Sequence, residues 1–77
     1  MTRKEFLNEI EELLSRDSNS LQGPELLSGL EGWDSLAIIS FIGVVDEKLE
    51  LTLNPKQIAA CKTVDDLIAL CGAKIAG

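Results

Sequence analysis

Trp33-Asp34-Ser35-Leu36-Ala37-Ile38-Ile39-Ser40-Phe41-Ile42-Gly43-Val44-Val45-Asp46-Glu47-Lys48-Leu49 is the stretch that decides the fold. Its apolar residues recur at helical spacing rather than alternating. Asp34 is the cap, because a carboxylate there accepts a backbone N–H that the first turn leaves unpaired. Trp33 before the cap and Ile38 at the fourth helical position make a hydrophobic staple. At about 100° per residue, Ile38, Phe41, Ile42, Val45 and Leu49 share one face and form the core stripe. Leu36, Ile39 and Gly43 fall on the opposite side beside Ser35, with Ser40, Asp46 and Glu47 around them. The helix therefore carries a second, smaller apolar patch that a core does not need.

Upstream, Thr2-Arg3-Lys4-Glu5 reads as a capping box. Phe6, Leu7, Ile10, Leu13 and Leu14 follow at helical spacing, with Glu5, Glu9, Glu11 and Glu12 in the remaining positions. The spacing predicts an amphipathic helix from about residue 3 to residue 15. Residues 17–32 form a long connection with turn formers at Ser18-Asn19-Ser20 and Gly23-Pro24. Leu21, Leu26, Leu27 and Leu30 predict that it packs down on the core, with a short helical turn near Glu25 to Ser28. Downstream, Asn54-Pro55 opens a short third helix anchored by Ile58. Thr63-Val64-Asp65-Asp66 opens a fourth, whose acids suit the helix dipole. Val64, Leu67, Ile68, Cys71 and Ile75 continue its period, and Gly72 is placed to end it early. Leu49-Glu50-Leu51-Thr52-Leu53 alternates briefly but reads as loop, because a lone strand has nothing to pair with. The expected fold is an all-α four-helix bundle, with three major helices, one short helix and a long first loop.

The chain has 77 residues, the length of one domain, so residues 1–77 are expected to form a single unit. Apolar residues make up 45%, and Phe6, Phe41 and Trp33 are the aromatics, so Leu, Ile and Val must build most of the core. The formal charge is −6, from 13 acidic and 7 basic residues. That argues against nucleic acid, whose phosphates need Lys and Arg, and for partners with basic surfaces. The longest apolar stretch is too short to span a membrane, and the first fifteen residues hold four Glu and no apolar run, unlike a signal peptide. The cytoplasm is the expected location.

Histidine is absent, which removes Ser-His and Cys-His nucleophile pairs. Cys61 and Cys71 do not form a CxxC pair and read as free thiols, with no metal site. Asp17-x-Asn19 begins like a calcium loop but continues with Leu21 and Gln22 where a ligand and a glycine are required. No catalysis by this chain alone is expected. What remains is Gly32-Trp33-Asp34-Ser35-Leu36. Ser35 would be the first helical residue, at the positive end of the dipole, where a phosphodiester is tolerated. It would also lie at the rim, so an arm attached there could swing into another enzyme.

These residues resemble the acyl carrier protein family. The likeness runs over essentially the whole chain: an acidic first helix, a leucine-bearing loop, Leu30-Glu31-Gly32-Trp33-Asp34-Ser35-Leu36, a Pro-started short helix and Thr63-Val64-Asp65-Asp66-Leu67. The resemblance implies that Ser35 carries 4′-phosphopantetheine, donated by coenzyme A, and that its terminal thiol holds an acyl or aminoacyl group as a thioester. It implies that Asp34 is read by the phosphopantetheinyl transferase besides capping the helix. Leu36 and Ile39 match apolar positions that meet partner enzymes, and Asp46 and Glu47 match acids that pair with basic partner residues. The implied partners are the transferase and the enzymes that activate, load and transfer the cargo. The implied state is a monomeric shuttle.

The match has departures. Ala37 and Ser40 stand where acids are common in bulk fatty-acid carriers, and Gly43 replaces a larger apolar residue. They point to a carrier dedicated to one pathway, such as lipid modification, natural-product or cell-surface polysaccharide assembly. Two alternatives stay open: a stand-alone aminoacyl or peptidyl carrier, and an unmodified helical module that docks through Leu36 and Ile39.

Overall fold

A computed structural model describes residues 1–75. Helix α1 spans Arg3–Leu13, α2 Ser35–Leu49, α3 Pro55–Ala59 and α4 Val64–Leu70. The expected four-helix, all-α architecture is present, and no strand ladder forms among the described residues.

The capping box of α1 closes as the sequence predicts. The Glu5 N–H donates to Thr2 Oγ1 at 3.1 Å, and the Thr2 N–H donates to Glu5 Oε1 at 2.9 Å. Phe6, Leu7 and Ile10 are buried. The helix stops at Leu13, short of the expected residue 15, because Ser15 turns left-handed with φ 57°. The Arg16 N–H then donates back to the Glu11 carbonyl at 2.7 Å, and the Ser15 N–H to the Glu12 carbonyl at 3.1 Å. That pair of reversed bonds is a Schellman ending. Glu11 also departs from expectation. It is only 2% exposed, and its Oε2 accepts the Leu21 N–H at 2.9 Å. A surface position by periodicity is thus covered by the long loop that it anchors.

On α2 the buried row is Ala37, Phe41, Val45 and Leu49. Ile38 and Ile42 pack against it half-buried, so the inward axis lies to one side of the expected stripe and takes in Ala37. Phe41 holds the centre. Phe6 meets it edge-on at 5.7 Å between ring centroids, and Trp33 at 5.8 Å. Trp33, the expected staple residue, makes this aromatic contact with Phe41, and Ile38 packs half-buried against the same core.

Helices α3 and α4 both start with complete capping boxes, Asn54 with Gln57 and Thr63 with Asp66. They bring Ile58, Val64 and Leu67 into the core. Helix α4 ends at Leu70, and Gly72–Lys74 form a 3-10 turn. Ile75, expected to continue the helical period, is therefore extended and outside α4.

The long loop packs as expected through Leu21, Leu27 and Leu30, but Leu26 is 58% exposed. The reason is local. Leu26 is extended and bridges antiparallel to Thr63, so its side chain and that of Leu27 point opposite ways. The helical turn forms at Leu27–Gly29, later than Glu25 to Ser28. The loop is sewn to the start of α4: the Leu27 N–H donates to the Lys62 carbonyl at 2.8 Å, the Val64 N–H to Glu25 at 3.1 Å, and the Asp65 N–H to Gly23 at 2.8 Å. The Glu25 carboxylate receives the Gln22 and Gly23 N–H groups, each at 2.7 Å. Burial alone would raise the pKa of Glu25, but these backbone bonds outweigh it and hold it below the ordinary value.

Gly23 is the knot of this stitching. Its φ is +127°, and a Cβ there would strike the paired Arg3 guanidinium and Asp65 carboxylate. Gly23→Ala is expected to lose about 1–3 kcal/mol. Gly29→Ala, with nothing within 4 Å of its Cβ, should be near neutral. Urea unfolding of the two variants checks this, and equal midpoints would contradict the stitched loop.

Candidate functional site

The loop delivers the chain to α2 through Gly32, whose φ is +88°. Asp34 is extended, and its Oδ1 accepts the Ala37 N–H at 3.0 Å. Ser35 is therefore the first residue of a 15-residue helix, and it is exposed. Its hydroxyl lies where the dipole is positive and the first backbone N–H groups lack intrahelical partners. An anionic ester on that oxygen fits this setting, and nothing buried has to move to admit it.

Leu36 is 72% exposed and Ile39 is 62% exposed. Gly43, Asp46 and Glu47 are exposed as well, and a Cβ on Gly43 would meet nothing within 4 Å. The residues singled out from the sequence thus share one outward face of α2, with the serine at its head and two carboxylates near its tail. In isolation, exposed leucine and isoleucine side chains on a helix give up burial that the core would reward.

Sequence reasoning missed what lies beside this face. A hollow of about 200 Å³ is lined by Leu13, Gly32, Asp34, Leu36, Ala37 and Ser40. It depends on how the end of α1 packs against α2, which no local pattern reveals. A larger hollow of about 530 Å³ lies at the other end of α1, around Thr2, Arg3, Leu7 and Gln22, and includes none of the α2 residues.

The chain's own thiols are poor candidates for acyl chemistry. Burial, then the proximity of Cys61, pushes the Cys71 thiol up to about 11. Burial, then the Asp66 charge, raises Cys61 too. Both are free, Cys71 is buried, and neither is a ready thiolate at neutral pH. Among the described residues no group of three or more His, Cys, Asp or Glu is placed to hold a metal, and no helix is long and apolar enough to cross a membrane.

Comparison with protein families gives a match to the phosphopantetheine attachment site over residues 4–71. Neither the curated proteins nor the solved structures yield a match. The family match covers α2, α3 and α4, all of α1 after its first residue, and the loop that joins the first two helices. A member of this family bears covalently bound 4′-phosphopantetheine and meets the transferase that installs it and the enzymes of its pathway. By the extent of that match, and with an exposed serine heading the second helix of an acyl-carrier-like bundle, the chain belongs to the phosphopantetheine attachment site family.

Proposed function

We propose that Ser35 is the residue modified, and that the chain acts as a single carrier domain presenting an acyl group, as a thioester on the arm, to the enzymes of one dedicated biosynthetic pathway. The observation that carries this reading is the exposed serine at the first position of α2, capped by Asp34. The arm supplies the reactive thiol, which Cys61 and Cys71, both raised in pKa, do not. The protein's own residues orient and present. Asp34 fixes the start of α2 and offers a carboxylate to the transferase. Leu36 and Ile39 give partners an apolar footing, and Asp46 and Glu47 attract basic partner residues over a distance.

The chain catalyses nothing by itself in this reading. With histidine absent and Asp34 engaged by the Ala37 N–H, activation of the Ser35 hydroxyl falls to the transferase, with coenzyme A as donor. The cargo is acyl, with aminoacyl as the alternative, and the working state is a cytoplasmic monomer. The family match weighs against an unmodified docking module.

Peptide mapping after loading tests the assignment. The arm is expected on the fragment holding Ser35. Its appearance on Ser28 or Ser40 instead would move the attachment point and undo the face described here.

A further inference from the structure

The seam between α1 and α2 opens to the outside of the bundle. The hollow of about 200 Å³ beside the attachment position includes Leu13, Leu36 and Ser40. A second hollow of about 460 Å³ is lined by Glu9, Glu12, Leu13, Ser40, Val44 and Lys48. Leu13 and Ser40 line both, so the two hollows adjoin and together trace a groove along the outer α1–α2 seam. From Leu36 to Lys48 it follows α2 for about 18 Å. Its near half sets the apolar Leu13, Leu36 and Ala37 beside the Ser40 hydroxyl and the Asp34 carboxylate, whose Oδ1 is taken by the Ala37 N–H. At its far end Lys48 donates to Glu9 at 2.6 Å, so that ammonium is matched and Glu12 leaves the end net negative. The core side of the same seam is closed: the space among Phe6, Phe41, Val45 and Leu49 is only about 10 Å³. That is scarcely room for one water.

We propose that the arm on Ser35 rests in this outer α1–α2 groove between encounters, and that the groove's acidic end suits an uncharged or cationic cargo rather than a carboxylated one. This rests on the assignment of Ser35 as the modified residue. The groove begins at Asp34 and Leu36, the two neighbours of Ser35, so an arm tied there meets it without crossing the bundle. Tethering raises the local concentration of the arm to about the millimolar range, so weak apolar contacts suffice. Leu36 belongs to both the groove and the outward face. A partner that docks on Leu36 and Ile39 therefore covers the groove mouth and frees the arm. A carboxylate-ended cargo would face Glu12 with no unmatched cation in the lining, whereas an aminoacyl ammonium would be drawn to it.

The test is NMR of isotope-labelled protein, unmodified and loaded by a broad-specificity transferase from coenzyme A and from its acetyl, alanyl and malonyl thioesters. Intact mass first establishes one addition. Arm-dependent shifts are expected at Leu13, Ser40 and Val44, larger than at Ile39 or Gly43 on the outward face and at Ile58 or Leu67 in the core. Alanyl and acetyl loading should shift Val44 and Glu12 more than malonyl loading does. Ser40→Glu, at an exposed position, should keep the fold and shrink the groove shifts several-fold. Shifts confined to residues 33–37, or strongest in the core, overturn the groove, and a malonyl response equal to the alanyl one overturns the charge preference. A folded protein that takes no arm at all overturns the Ser35 assignment instead.

Discussion

Phe41→Ala is expected to cost about 3–5 kcal/mol. A chain of 77 residues has about 4–12 kcal/mol in all, so the variant should sit at or near the edge of folding. Phe41 is buried at the meeting point of Phe6 and Trp33, and the packed space beside it leaves nothing to fill the gap. Ile39→Glu, two positions away on the same helix, should change stability by no more than about 0.5 kcal/mol, because Ile39 is already in water. The same variant should slow transfer to partner enzymes, since it puts a charge in the apolar footing. Urea unfolding of both proteins checks the orientation of α2. A large loss for Ile39→Glu and a small one for Phe41→Ala would mean that the outward face has been taken for the inward one.

Ser35→Ala is expected to abolish loading while leaving the fold intact. Alanine is the best helix former, and Ser35 heads α2 with its side chain in solvent, so no burial is lost. The cap does not depend on it, because the Ala37 N–H bond belongs to Asp34. A matching thermal midpoint together with no transfer of a fluorescent coenzyme A arm is the expected pair of results. Cys61→Ser should load normally, because the acyl group is held by the arm and not by the chain's own sulfur. A Ser35→Ala protein that unfolds would make the serine structural and displace the site.

The helices were legible because their ends are written locally. Thr2 with Glu5, Asp34, Asn54 with Gln57 and Thr63 with Asp66 each cap the helix that the sequence predicts, and Pro55 opens α3. The outward position of Leu36 and Ile39 followed from periodicity alone, since α2 is long enough to define two faces. The misreadings share one cause. Glu11 takes its burial, and Leu26 its exposure, from how the long loop crosses α1 and pairs with the start of α4, and those contacts are distant in sequence. Glu11 looks like one more surface acid until the Leu21 N–H arrives on it. Leu26 looks like a core leucine until the bridge to Thr63 turns it outward. The groove was invisible for the same reason, because Leu13 and Ser40 meet only when α1 and α2 pack.

The central claim is that Ser35 accepts a single phosphopantetheine arm, and intact mass tests it most directly. The native chain and Ser35→Ala are each incubated with coenzyme A, Mg²⁺ and a broad-specificity phosphopantetheinyl transferase, and then weighed. One arm's mass added to the native chain and none to the variant is the predicted result. A folded native chain that stays unmodified beside a competent control carrier, or a variant that gains the arm, would contradict it.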